Sequence, residues 1–199
     1  MEETRIMLLP SPPSSGSIGS ATKMLGVARL LEQNGAKICF VIGGILGDFL
    51  YKFGYEVYPF PIPKTIGTKK DIENIVDFLE WTGLCDDDFI QEAVLKELEA
   101  IKVFRPTVIF AETRPTATIS ANAAKIPLVS IASWSCSPIN PINKFQAGRL
   151  IKGFNLVLER YGLEKIENIA QLFYERSDVR LAPTLPELEP EGLFEDDII

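Results

Sequence analysis

Histidine is missing altogether from this 199-residue chain. That removes the commonest general base, the Ser-His-Asp triad and most transition-metal sites at once. Cysteine is scarce. Cys39, Cys85 and Cys136 are odd in number and widely spaced, with no CxxC pair, so neither a disulfide framework nor a zinc site is indicated; they read as small core residues of an intracellular protein. Long apolar runs are lacking too. No stretch reaches the roughly eighteen residues of a membrane span, the nearest being broken by Gly, Asp, Lys or Pro, so no integral membrane segment is expected. Basic charge is in deficit: 20 Lys and Arg stand against 27 Asp and Glu, a net charge of −7 with a pI near 4.8. Such a surface repels nucleic acid phosphates and anionic membranes, so nucleic acid is not an expected partner. The opening Met-Glu-Glu-Thr-Arg has neither the basic flank nor the longer apolar run of a secretory signal, and a cytoplasmic location is expected.

What is present is the balance of a soluble globular protein, 46% hydrophobic and 24% charged, in a length that suits one α/β domain spanning residues 1–199. Arg5 to Pro10 reads as a buried strand, and Ser11 to Gly19 as a turn-rich loop. From Ser20, Met24, Val27, Ala28, Leu30 and Leu31 recur at helical spacing until Asn34-Gly35 stops the helix. Lys37 to Ile42 is the second strand. A short helix closing at Gly54 follows, and then an extended segment, YEVYPFPIP, broken up by prolines. Asp71 to Trp81 and Asp88 to Phe104 have amphipathic helical spacing, the second through Val94, Leu95, Leu98 and Ile101. The run Asp86-Asp87-Asp88 supplies a helix N-terminus, where carboxylates offset the macrodipole. Thr107 to Ala111 is a strand, Thr116 to Ala124 a helix and Pro127 to Ala132 a strand. Helices over Phe145 to Tyr161 and Ile166 to Arg176 precede a last strand, Val179 to Ala182. Strands alternating with helices, and apolar on both faces, specify a Rossmann-like, doubly wound parallel sheet with helices on both sides.

Ligands in such sheets bind at the carboxyl ends of the strands, which directs attention to a few loops. The SSGSIGSATK loop lacks both GxxxxGK[ST] and GxGxxG, so nucleotide phosphate binding is rejected there. Glu112 stands directly after a strand, placed as a general base, with Thr113 and Arg114 beside it; capping of the next helix, or pairing with Arg114, is the competing role. Ser133, Trp134 and Ser135 hold the equivalent place after the next strand, Trp134 either walling an apolar cleft or filling the core. Phe60, Phe78 and Trp81 divide in the same way between pocket lining and core.

Four stretches in this order resemble the N-terminal domain of GT-B glycosyltransferases, the family of UDP-glycosyltransferases and macrolide glycosyltransferases. RIMLLP, the Gly/Ser loop and ATKMLGVARLLEQNGAKICFVIG are similar to the family's opening strand, catalytic loop and first helix, usually a Gly-His turn and a helix ending in Gly-His-Glu-Val. FRPTVIFAETRPTATISANAAKIPLVSI is similar to its kPDvVvaD strand, helix and giP strand, with Glu112 at the aspartate. YEVYPFPIP resembles the third strand, and DVRLAPTLPELEP the end of the domain. The resemblance implies one half of a GT-B fold, the acceptor-binding half, with the donor-binding C-terminal domain absent from this sequence. It implies a small, hydrophobic acceptor and a UDP- or dTDP-sugar bound only once a donor-binding domain or separate subunit is supplied. It also implies a cleft-facing surface open to self-association as a homo-oligomer. In the family a loop histidine, oriented by the aspartate, deprotonates the acceptor hydroxyl. Ser20 and Glu112 occupy those two places, and Ser17, Gly19, Arg114, Ser133, Trp134 and Ser135 are the implied acceptor-binding residues. A serine hydroxyl is too weak a base for that step. Either Glu112 takes the proton directly, or the site does not perform ordinary O-glycosylation. A binding module that kept the fold without the dyad is the alternative, favoured by the missing histidine and opposed by the retained carboxylate.

Overall fold

Successive side chains of strand β1 (Arg5–Leu9) alternate between two faces, and both faces are buried, as a strand covered on each side requires. The same holds for β2 (Lys37–Val41) and β4 (Val108–Glu112), while β3 (Glu56–Tyr58), β5 (Leu128–Ile131) and β6 (Val179–Leu181) complete the sheet. All neighbours are parallel, in the order β3-β2-β1-β4-β5-β6. This computed structural model describes residues 3–12, 18–65, 75–131 and 141–181. The helices in chain order are α1 (Ile18–Gln33), α2 (Gly44–Lys52), α3 (Ile75–Thr82), α4 (Asp87–Phe104), α5 (Pro115–Ala124) and α6 (Pro141–Arg160).

Two apolar cores lie on opposite faces of the sheet. On one, Ile6, Leu8, Ile38, Phe40 and Ile42 pack against Met24, Leu25 and Ala28 of α1 and Leu50 of α2. On the other, Met7, Leu9, Cys39, Val41 and Ile109 meet the buried stripes of α3, α4, α5 and α6. The doubly wound arrangement follows from period-two strands meeting period-3.6 helices on each side. Cys39 is a core residue, and burial pushes its thiol pKa upward. Phe60 is core as well, edge-on to Phe89 at 5.8 Å between ring centroids.

Local chemistry sets the element ends. Asp86 caps α4 by accepting the Phe89 N–H at 3.0 Å, and Gly35 leaves α1 at φ +84°, a conformation that favours glycine. Several boundaries and faces differ from the sequence expectation. Leu30 and Leu95, expected on buried stripes, are 62% and 50% exposed, because each stripe is narrower than the apolar residues available to fill it. The helix expected over Ile166 to Arg176 is reduced to one π-helical turn, Gln171–Glu175. Upstream of it, Asn155 bonds the N–H and C=O of Ile166, and the Gln171 side chain takes the N–H groups of Glu167 and Asn168. Side chains thereby hold the backbone of this stretch by bonds other than those of a helix. Helix α6 begins a turn earlier than expected, at Pro141, a residue tolerated in the first turn because no intrahelical N–H is needed there. Among the described residues no helix is long and apolar enough to cross a membrane.

Candidate functional site

The strand order reverses between β1 and β4, where Leu9 registers with Ala111. The crevice beyond the carboxyl ends of that pair is where open parallel sheets bind ligands. Three side chains meet there. Ser20, on the first turn of α1, donates its hydroxyl to Glu112 Oε2 at 2.6 Å and accepts the Ser11 N–H at 2.8 Å. Lys23, three residues further along α1 and so on the same helix face, donates Nζ to Glu112 Oε1. Ser20 and Glu112 are each 6% exposed, whereas 56% of the Lys23 side chain is open to solvent. Thr113, at φ +45°, turns the backbone sharply between Glu112 and Arg114. Left-handed geometry is uncommon for a β-branched residue and is typical of strained functional loops.

Arg114 does not pair with Glu112, the competing role considered from the sequence. It is 2% exposed and gives Nε to Glu97 Oε1 at 2.8 Å, and Nη1 to the carbonyls of Pro10 at 3.0 Å and Val41 at 2.7 Å. Its guanidinium carbon lies 3.4 Å from the centroid of the Phe60 ring. One side chain thus ties together the exits of β1, β2, β3 and β4. Glu97 also accepts from Thr116 at 2.8 Å and Ser120 at 2.7 Å. Burial pushes the Arg114 pKa down, and the Glu97 carboxylate opposes that shift.

The Phe60 exit loop is seated by a close approach to the start of α2. A Cβ on Gly43 would stand 2.1 Å from the Phe60 carbonyl oxygen, so only glycine fits without displacing backbone. Gly43→Ala is expected to lower stability by about 1–3 kcal/mol through overpacking, read as a fall in the melting temperature of roughly 2–4 °C per kcal/mol.

Of the residues singled out from the sequence, the structure brings Ser20 and Glu112 into contact. It sets Gly19 exposed beside Ser20 and sends Arg114 beneath the edge. Ser17, Ser133, Trp134 and Ser135 lie outside the described residues. Sequence reasoning missed Lys23 and Glu97. The signal for Lys23 was its i+3 spacing from Ser20. Glu97 falls among Val94, Ala100 and Ile101 on the buried face of α4, where a charged residue within an apolar stripe was the only sign. Among the described residues no group of three or more His, Cys, Asp or Glu side chains is placed to hold a metal ion.

No family model matches the chain, and no curated protein matches it in sequence. Solved structures do match it in shape. The glycosyltransferase SsfS6 of Streptomyces sp. SF2575 superposes with a TM-score of 0.62 at 12% identity, over 94% of this chain and 52% of that one. The spinosyn rhamnosyltransferase SpnG, complexed with spinosyn aglycone, gives a TM-score of 0.64 at 14% identity, over 96% of this chain and 48% of that one. The glycosyltransferase SnogD from Streptomyces nogalater gives 0.59 at 19% identity, over 96% and 47%. This chain has the fold of one half of a GT-B glycosyltransferase. It spans about half the length of the structures it matches, and SpnG is also known complexed with thymidine diphosphate.

Proposed function

We propose that the chain is the acceptor-binding half of a nucleotide-sugar-dependent glycosyltransferase, acting on a small, hydrophobic acceptor and unable to transfer a sugar alone. The observation that carries this reading is the 2.6 Å hydrogen bond from Ser20 to Glu112. The two residues that the family resemblance aligns with the histidine and the aspartate, 92 positions apart in sequence, touch at the topological switch point. A buried carboxylate there, bonded on one side to a hydroxyl and on the other to an ammonium, is a pre-organised polar centre of the kind that orients a reacting group. Glu112 is the proton-accepting group of this reading and Ser20 its partner, while Arg114 holds the surrounding loops. The UDP- or dTDP-sugar belongs on a donor-binding half, whether on the same polypeptide or on a separate subunit. The match to about half of each neighbouring glycosyltransferase supports that division.

Calorimetry with UDP- and dTDP-sugars tests the reading, on the chain alone and after addition of a donor-domain protein. No binding is expected to the lone chain. Binding and transfer are expected in the mixture, with transfer lowered about 10²–10⁴-fold by Glu112→Gln, the usual scale of a lost acid–base group. Tight binding of a sugar nucleotide to the lone chain would place the donor site here and sink the reading. The alternative, a binding module that kept the fold, is favoured by the absence of histidine and predicts acceptor binding without transfer in any mixture.

A further inference from the structure

Helix α2 turns an apolar face to solvent. At 3.6 residues per turn, Gly47 and Leu50 take the buried side, and the outward arc runs from Tyr51 through Asp48, Lys52 and Ile45 to Phe49. Ile45 is 84% exposed and Tyr51 71%, while Phe49, and Phe53 just past the helix end, are half exposed. The Phe49 and Phe53 rings lie 4.6 Å apart between centroids, so they form one ridge. Ile62, also half exposed, sets its Cδ1 against Gly44, 2.9 Å from where a Cβ there would stand, and carries the apolar surface onto the loop after β3. The helix itself is closely seated. A Cβ on Gly47 would stand 2.9 Å from the Ile42 carbonyl oxygen, so the backbone of α2 rests directly on the chain leaving β2. A contiguous apolar surface on a firmly seated helix marks an interaction site.

Two charges interrupt that surface, and they select the partner. Asp48 and Lys52, four residues apart, stand in the middle of the arc, both exposed. Among the described residues neither has an ion-pair partner. A body that covers the arc must bring a base to Asp48 and an acid to Lys52, or strand both charges away from water. The same helix run antiparallel does this. About a two-fold axis passing beside Phe49, Asp48 of each copy stands opposite Lys52 of the other, Ile45 stands opposite Phe53, and the two Phe49 rings meet, which is the self-complementary pattern of an isologous contact. A lipid surface lacks that match. An interfacial helix has a polar face rich in Lys and Arg, whereas here one lysine is balanced by one aspartate, in a chain of net charge −7. We propose that α2 is the contact of a two-fold homodimer, in which Asp48–Lys52 pairs between copies flank the apolar ridge. This surface is distinct from the crevice beyond β1 and β4, and the proposal is independent of the acceptor-half reading.

Sedimentation velocity and light scattering on the 199-residue chain, over a series of concentrations, test this. A monomer–dimer equilibrium is expected. Ile45→Glu, at the most exposed apolar side chain of the arc, is expected to raise the dissociation constant roughly tenfold or more, the scale of losing an anchor at the centre of a contact. Asp48→Lys and Lys52→Asp, made singly, set like charges opposite one another and are expected to weaken the dimer by a similar factor. Made together they exchange the two charges, and the dimer is expected to return. Each of these side chains is exposed, and circular dichroism checks that every variant is folded. A monomer at all concentrations overturns the proposal. So does a dimer that Ile45→Glu leaves unchanged, or one that the double exchange does not restore. Capture of the monomer by phosphatidylcholine vesicles, lost in Ile45→Glu, also overturns it and assigns the face to lipid. None of these outcomes touches the acceptor-half reading, which transfer in the donor-domain mixture decides.

Discussion

Glu97→Leu is expected to destabilise the chain by about 3–5 kcal/mol, the scale for breaking a buried ion pair by removing one partner. The cause is the guanidinium left behind. Arg114 and Glu97 are both fully buried at the side chain and lie 2.8 Å apart, so loss of the carboxylate strands a charge with no water to solvate it. Thr116 also loses its acceptor, and Ser120 keeps only the Ala117 carbonyl. Urea unfolding checks this as a fall in the midpoint at constant slope. The double substitution Glu97→Leu with Arg114→Met is expected to recover most of the loss, since apolar replacements of buried ion pairs are often neutral. A single-variant cost below about 1 kcal/mol, the range of exposed pairs, would show that the pair is hydrated in solution. Because Arg114 also holds the carbonyls of Pro10 and Val41, the double variant is expected to retain a residual cost from those two acceptors and to loosen the loops around Glu112.

Phe104→Ala is expected to cost about 3–5 kcal/mol, the range for deleting a buried aromatic side chain. Phe104 is the last residue of α4 and fully buried. Its ring stands edge-on to Tyr58 at 6.4 Å and carries the Arg5 guanidinium at 4.5 Å from its centroid. Arg5 Nε also donates to the Phe104 carbonyl at 2.7 Å, so the residue joins α4 to the start of the central strand. Removing the ring opens a cavity at the amino edge of the sheet, at the opposite strand ends from Glu112. The prediction thus separates the two edges: thermal stability falls, while transfer by the remaining folded protein in the donor-domain mixture is unchanged. A matching loss of transfer would show that the edges are coupled through α4.

Much of the architecture was legible in the order of periodicities. Met7 and Leu9 on one side and Ile6 and Leu8 on the other are a strand buried on both faces, and such strands separated by helices leave a parallel sheet as the solution. Element ends with dedicated chemistry were legible as well, as at Asp86 and Gly35. The segment from Ile166 to Arg176 was not. Its apolar residues have helical spacing, but Asn155, Asn168 and Gln171 bond the backbone there, and side-chain competition for backbone groups leaves no mark on hydrophobic periodicity.

Within the candidate site the division is sharper. Taken alone, the sequence determined that there is no histidine, that a carboxylate stands at the end of the fourth strand, and that a parallel sheet brings it to the carboxyl edge. Those properties depend on composition and on neighbours a few residues apart. That the fourth strand lies beside the first was decided by the tertiary structure. Only the tertiary structure decided that Glu112 meets Ser20 and Lys23, 92 and 89 positions away, and that Arg114 turns from the carboxylate beside it in sequence to Glu97. The choice between those two carboxylates rests on desolvation. The guanidinium enters the interior, where a partner with both oxygens satisfied is required, and α4 supplies one, while Lys23 reaches in from solvent to neutralise Glu112 at the carboxyl edge.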